Sequence, residues 1–170
     1  MHVYYSVWKS PIGNLHLIAR DDALLSLSFD QNTPAILKRL GITELIEHEN
    51  PLIRQAKSEL GEYFEGRRTS FEVHVDLRGT EFQKRVWESL LKIPYGERIS
   101  YRDQARGLAH EKAVRAVGSA NGRNPVAIIV PCHRVVRSDN TLGGYAGGLR
   151  IKEQLLMLES RLVAASPSSN

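Results

Sequence analysis

The 170-residue sequence has a single cysteine, Cys132, which excludes an internal disulfide and any zinc site built from several cysteines. No apolar run approaches the roughly 18 residues that a membrane helix needs, so no membrane association is expected. Nor is there a basic stretch followed by an apolar one near the start. No secretory signal is expected, and the reducing cytoplasm, where a thiol stays free, is the expected compartment. His2, His16, His48 and His74 are scattered without the close spacing of metal ligands, and no metal is expected. The glycine-rich stretch Gly143-Gly144-Tyr145-Ala146-Gly147-Gly148 fits neither a P-loop nor a dinucleotide fingerprint, so no cofactor is expected.

What is present describes an ordinary globular protein, 42% hydrophobic and 25% charged, long enough for one domain or two small ones. Its net charge of +4 is unevenly shared. Residues 1–77 carry 8 Lys/Arg against 11 Asp/Glu, whereas residues 78–137 carry 12 against 5. A basic half beside an acidic one suits binding a polyanion at one face, although a solvated surface gives the same count.

Residues 2–30 alternate apolar and polar positions around the turn Ser10-Pro11-Ile12-Gly13-Asn14, which predicts an antiparallel meander. A short helix is expected over Pro34–Leu40, a firmer one over Pro51–Phe64 and a strand over Phe71–Leu77. Composition turns basic and helical near Arg78-Gly79-Thr80, placing a boundary between residues 1–78 and 79–170. Beyond it, helices are expected over Glu81–Lys92, from Tyr101 to about Leu108 with Ser100 as cap, and over Glu111–Ala120. The last two read as a helix-turn-helix. The second of them offers Ala113, Ala116, Val117, Gly118 and Ala120 with one long cation, Arg115. A helix that reads major-groove edges would carry several polar side chains; small residues suit close approach to the minor groove. The tail from Ala164 to Asn170 has the small, polar composition of a disordered terminus.

The chain is organised around Asn124-Pro125-Val126-Ala127-Ile128-Ile129-Val130-Pro131-Cys132-His133-Arg134-Val135-Val136. Val126 to Val130 reads as an extended segment packed on both faces, stopped by Pro131 before the thiol. A free cysteine is commonly a small buried hydrophobe. His133 as a proton acceptor and Arg134 as a cation favouring the thiolate make a reactive sulfur the better reading. Arg134 serves either structure or phosphate contact, and sequence does not separate the two.

Pro131-Cys132-His133-Arg134-Val135, with Arg115-Ala116-Val117-Gly118, Asn124-Pro125 and the Gly144–Gly148 stretch, resembles the O6-alkylguanine-DNA alkyltransferase family over about Gly79 to Glu159. The resemblance implies an α+β fold. An N-terminal antiparallel sheet with helices, RNase H-like, would precede a C-terminal helical domain with a helix-turn-helix. It implies direct reversal of O6-alkylguanine damage, with O4-alkylthymine left open, by irreversible single-turnover transfer to Cys132 after base flipping. Cys132 would be the acceptor and His133 its base, acting through water and oriented by Glu159. Tyr101 would donate to the guanine ring, and Asn124 would pin the turn before the active site. Backbone of Val135 and Ala146, with Tyr145 as a wall, would line the base pocket. Arg115 would fill the gap left by the flipped base, with Ala113, Ala116 and Ser100 also on the DNA. The implied partner is double-stranded DNA bound through its minor groove by a protein monomeric in solution. Where relatives have a Gly-x-Pro turn this chain has Leu108-Ala109-His110-Glu111, whose conformation is left open. Three rivals remain. A lesion-binding module related to the family would lack Cys132, and a phosphotriester-sensing relative would need four cysteines. A cysteine hydrolase would have no use for the small-residue helix.

Overall fold

Alternation near the start of the chain becomes a sheet. In the computed structural model, which describes residues 2–165, β1 (Tyr4–Ser10), β2 (Gly13–Ala19) and β3 (Leu24–Phe29) form the expected antiparallel meander. Leu17 pairs with Leu27, and Leu15 with Phe29, placing these side chains on the buried face. The sheet is not wholly antiparallel. After α1 (Thr33–Leu40), the two-residue β4 (Ile46–Glu47) joins β1 in parallel, giving the order β3-β2-β1-β4.

α2 (Pro51–Phe64) has the bounds its sequence suggests. Asn50 Oδ1 accepts the Ile53 N–H at 2.9 Å, and Pro51 takes the first helical position, where a missing donor costs nothing. Ile53, Ala56, Leu60 and Tyr63, at helical spacing, are wholly buried. The strand expected over Phe71–Leu77 does not form beyond one bridge, Val75 to Leu24. Buried Glu59 of α2 explains why: its carboxylate accepts the N–H groups of Glu72 at 2.7 Å and Val73 at 3.1 Å. Those backbone donors are satisfied by a side chain and not by a ladder.

The chain divides into two compact units. The first runs to Thr80 and also takes in Asn124–Ile129. That returning segment is held by Leu27, whose N–H donates to Pro125 O and whose carbonyl accepts from Ala127 N–H, both at 2.9 Å. A boundary at 78/79 drawn from composition does not contain this return, because the pairing is between residues a hundred positions apart.

The second unit comprises Glu81–Arg123 and the chain from Val130 onward. α3 (Glu81–Leu90) buries Val86, Trp87 and Leu90, and the Trp87 indole N–H donates to Ala120 O at 2.8 Å. β5 (Ile99–Ser100) leads directly into α4 (Tyr101–Gly107), capped by Ser100 Oγ accepting from Asp103 N–H at 3.0 Å. A 3-10 turn, Glu111–Ala113, then precedes α5 (Val114–Gly122). Between α4 and that turn, His110 N–H donates to Ala105 O and Ala109 N–H to Arg106 O, with Ala109 at φ 60°. This is a Schellman ending, with alanine in the left-handed position that glycine normally fills. Buried Gln104 and Asn121 exchange amide hydrogen bonds at 3.0 and 2.7 Å, tying α4 to α5. β6 (Val135–Val136) pairs in parallel with β5, and α6 (Leu149–Ala165) closes the described chain. The helix thus runs two residues into the expected tail; residues 166–170 lie outside the described residues.

Candidate active site

The apolar run before the thiol is buried, as expected, but it is not extended. Ile129 N–H donates to Ala127 O at 2.8 Å around Ile128, whose φ is 71°. That is a γ-turn centred in the left-handed region, where a β-branched residue costs on the order of 1–3 kcal/mol. Cys132 N–H then donates to Val130 O at 2.9 Å around Pro131, at φ −84° and ψ 62°. Proline suits this second, inverse γ-turn, because it needs the fixed φ and no donor. Cys132, 7% exposed, follows at once and opens a 3-10 turn over Cys132–Arg134. Asn124 Oδ1 accepts from Val126 N–H at 3.0 Å, so this side chain pins the start of the segment within the first unit.

His133, wholly buried, faces Glu159 of α6, with Nε2 and Oε2 2.6 Å apart. Arg134 sends Nε to Glu159 Oε1 at 2.8 Å and Nη2 to Oε2 at 3.1 Å, while its Nη1 donates to Ile93 O at 2.7 Å. Gly96 N–H adds a fourth bond to the carboxylate at 3.1 Å. Burial alone would raise the Glu159 carboxyl, but the His133 and Arg134 contacts outweigh it and hold it at about 2. Burial pushes His133 down despite Glu159, and the Arg134 and Lys152 charges push the same way. The imidazole is therefore neutral beside a carboxylate. That network assigns its Nε2–H as donor to Glu159 and leaves Nδ1 as the basic nitrogen. Nδ1 is buried and has no hydrogen-bond partner among the described residues. Arg134, 6% exposed with its guanidinium so committed, serves structure and is not presented to a phosphate.

Tyr101, the first residue of α4, reaches Gly144 O with its hydroxyl at 3.4 Å. Burial raises its pKa, the Cys132 charge raises it further, and Arg137 opposes them. Gly143 lies over the same ring at φ 71°; a Cβ there would come within 2.8 Å of Tyr101 Cε2 and 2.9 Å of its oxygen. Both the backbone and the space thus require glycine. Tyr145 is half-buried with its hydroxyl enclosed, and burial and then the Cys132 charge raise its pKa. Ala146, beside it in the glycine-rich loop, is half-buried, and Val135 is wholly buried behind the thiol turn.

Of the residues singled out from sequence, Cys132, His133, Glu159, Tyr101, Val135, Tyr145 and Ala146 all fall in the second unit. Arg115 and Ala116 lie on the exposed side of α5, while Ala113 and Ser100 are half-buried. Asn124 groups with the first unit. Sequence reasoning missed Lys152, which is 0% exposed and donates to three carbonyls of this region. No local signal marks it, since it stands among charged residues at the start of a helix. An open cavity of about 610 Å³ at the α4–α5 connection is lined by Arg106, Ala109, His110, Glu111, Lys112 and Ala113, none from the thiol site. Among the described residues, no group of three or more His, Cys, Asp or Glu side chains is placed to hold a metal ion.

Two family models together cover most of the chain. The 6-O-methylguanine DNA methyltransferase ribonuclease-like domain matches residues 3–77, and the DNA binding domain of the same name matches residues 81–161. The methylated-DNA–protein-cysteine methyltransferase of Mycolicibacterium paratuberculosis is 47% identical over 167 residues, 96% of each chain. Its namesake from Methanosarcina acetivorans is 43% identical over 92% of this chain and 98% of its own. The crystal structure of Mycobacterium tuberculosis OGT in complex with DNA superposes with a TM-score of 0.85 at 41% identity, covering 99% of this chain and 96% of that one.

Proposed function

Since the chain belongs to the 6-O-methylguanine DNA methyltransferase family, we propose that it repairs O6-alkylguanine in double-stranded DNA by transferring the alkyl group irreversibly to Cys132. The observation that carries this reading is the neutral His133, next in sequence to the single cysteine, held by a charge-balanced Glu159, with its second nitrogen unpartnered among the described residues. Such a base can take the sulfur proton, through a water, without needing a carboxylate to change charge.

The reaction follows from these groups. His133 Nδ1 receives the thiol proton. The sulfur then forms a bond to the alkyl carbon as the carbon–O6 bond breaks, and the electron pair passes to the guanine. Tyr101, whose hydroxyl keeps its proton, hydrogen-bonds a ring nitrogen and steadies the charge on the departing base, which solvent protonates. Backbone of Val135 and Ala146, with the Tyr145 ring, would hold the guanine edge and exclude other bases. The thioether product is stable, so each molecule acts once.

The alkyl carbon is inaccessible in a stacked duplex, and the nucleotide must leave the helix first. The small exposed face of α5 suits the minor groove, with Ala113, Ala116 and Ser100 near the backbone and Arg115 entering the vacated space. Residues 79–170 would then carry both DNA binding and chemistry. A thiol that must stay reduced suits the cytoplasm.

A duplex carrying one O6-methylguanine, digested to nucleosides after incubation with excess protein, tests this reading. Wild-type protein should convert the lesion to guanine, and Cys132→Ser should bind the duplex yet leave the lesion intact. Restoration of guanine by Cys132→Ser would overturn the assignment.

A further inference from the structure

The reaction above makes no use of Gln104 and Asn121, two amide side chains buried where α4 meets α5. Gln104 Nε2 donates to Asn121 Oδ1 at 3.0 Å, and Asn121 Nδ2 returns a bond to Gln104 Oε1 at 2.7 Å. Gln104 Nε2 also donates to Ser89 Oγ of α3 at 3.2 Å, and that hydroxyl donates to Val86 O at 2.5 Å. A buried amide costs stability unless its bonds are made, and an apolar pair of similar volume would hold the helices together about as well. What the amides add is geometry. Two opposed hydrogen bonds are both made at only one separation and one orientation of the groups that share them.

The pair stands one turn along each helix from a second contact. Tyr101 precedes Gln104 by three residues on α4, and Gly118 precedes Asn121 by three on α5, so each lies on the same face as its amide neighbour. Gly118 faces the Tyr101 ring: a Cβ there would lie 3.8 Å from Cδ1 and 3.9 Å from Cε1. Another turn back along α5 stands Arg115, exposed. Tyr101 and Arg115 are thus carried on different helices, and how α4 sits on α5 sets their spacing. The Tyr101 ring is also held from outside this pair, against Gly143 and with its hydroxyl 3.4 Å from Gly144 O. Relaxing the amide tie would therefore leave Tyr101 in place and free α5, with Arg115, to move.

We propose that Gln104 and Asn121 are positioning residues that fix the register of α4 on α5, and with it the spacing between the Tyr101 hydroxyl and Arg115. Given the repair reading above, on which this rests, Tyr101 meets the extruded guanine while Arg115 fills the gap that the same nucleotide left. Base and gap are two ends of one displacement, so a shift of about 1 Å between the helices misplaces one when the other is seated. The pair therefore serves the passage from duplex to pocket and not the chemistry at sulfur.

The test compares two substrates with the full chain: a duplex carrying one O6-methylguanine, whose nucleotide must be extruded, and free O6-benzylguanine, which needs no extrusion. Single-turnover rates of alkyl transfer to Cys132 are measured on both, alongside affinity for undamaged duplex and the melting temperature. Gln104→Asn shortens the tie by one methylene and should slow duplex repair about tenfold, with free-base transfer and duplex affinity unchanged. Adding Asn121→Gln supplies the methylene from the other helix and should restore the duplex rate. A pair that only held the core together would lower the melting temperature and slow both substrates alike. Wild-type duplex repair by folded Gln104→Asn overturns the proposal, as does equal slowing on both substrates or failure of the Asn121→Gln rescue. If Gln104→Asn does not fold, Gln104→Leu with Asn121→Leu carries the comparison. That apolar pair should be slow on duplex and normal on the free base, and equal rates relative to wild type on both would overturn the proposal. Transfer by the wild type alone reports on the repair reading, so the two can fail separately.

Discussion

At the scale of single residues, the chemistry depends on which member of a buried trio carries charge. A histidine beside a carboxylate is usually drawn as a charged pair. Here burial disfavours the imidazolium, and Arg134, with two bonds to Glu159, already balances the carboxylate, so His133 stays neutral. The same arrangement sets an acid limb of stability. The carboxyl of Glu159 lies at about 2 in the folded chain against 4.5 ordinarily. Its contribution is complete above about pH 4.5 and is lost as pH falls toward 2. The shift corresponds to about 3 kcal/mol. His133, lowered from 6.5, must take up a proton on unfolding in acid, so its destabilising effect begins as pH falls below 6.5. Urea unfolding from pH 7 to 3 should show wild-type stability falling across both windows. Glu159→Gln, which leaves the Arg134 charge uncompensated, should be less stable at pH 7 with a shallower acid limb; parallel limbs in the two proteins would refute the charge assignment. Adjacency made Cys132 and His133 legible in the sequence. Glu159 was legible only through family resemblance, because Lys152–Glu159 reads as a solvated helix face. The burial of Arg134 and Lys152 depends on what packs over them from distant positions, and one-dimensional pattern does not carry that.

At the scale of elements, two turns, one before the thiol and one before α5, contradict local preference. Hydrophobicity in Val126–Val130 correctly reports burial, but burial does not specify conformation, and nothing local marks Ile128 for a positive φ. Pro131 is different: its fixed φ and missing donor point to a turn, and a turn is what forms. The connection before α5 ends α4 in a Schellman motif with Ala109 at φ 60°. A left-handed alanine costs roughly 1–2 kcal/mol, part of which glycine returns as unfolded-state entropy. Ala109→Gly should therefore stabilise the protein by about 0.5–1 kcal/mol, read as a higher urea midpoint with unchanged slope. An equal or lower midpoint would mean the connection is relaxed by other contacts. α2, with its Asn50 cap and Pro51, was readable residue by residue because every local signal agrees with the tertiary packing. The strand expected over Phe71–Leu77 failed because one carboxylate, Glu59, took its backbone donors.

At the scale of the whole molecule, charge and connectivity divide the labour. The basic excess lies in residues 78–137, around the thiol and α5. Binding to undamaged duplex should weaken with salt, since each neutralised phosphate contributes about −0.9 to the slope of log K against log salt. Arg115→Ala should lower the rate of lesion repair far more than its affinity for undamaged duplex, because filling a vacated base position matters only once a nucleotide has left. Equal losses in both, measured by fluorescence anisotropy and single-turnover repair, would make Arg115 an ordinary phosphate contact. The order of sheet before helices was legible from alternation and composition, and the α+β class from the family resemblance. The return of Asn124–Ile129 to the first unit was not, because it depends on a pairing with Leu27 that no window of sequence contains. The central claim, irreversible transfer to one sulfur, is tested most directly by intact and peptide mass spectrometry after incubation with excess O6-methylguanine duplex. The account predicts one methyl group per protein molecule, located on Cys132, with no further repair on adding more duplex. A bound but unmodified Cys132, or continued turnover by methylated protein, would contradict it.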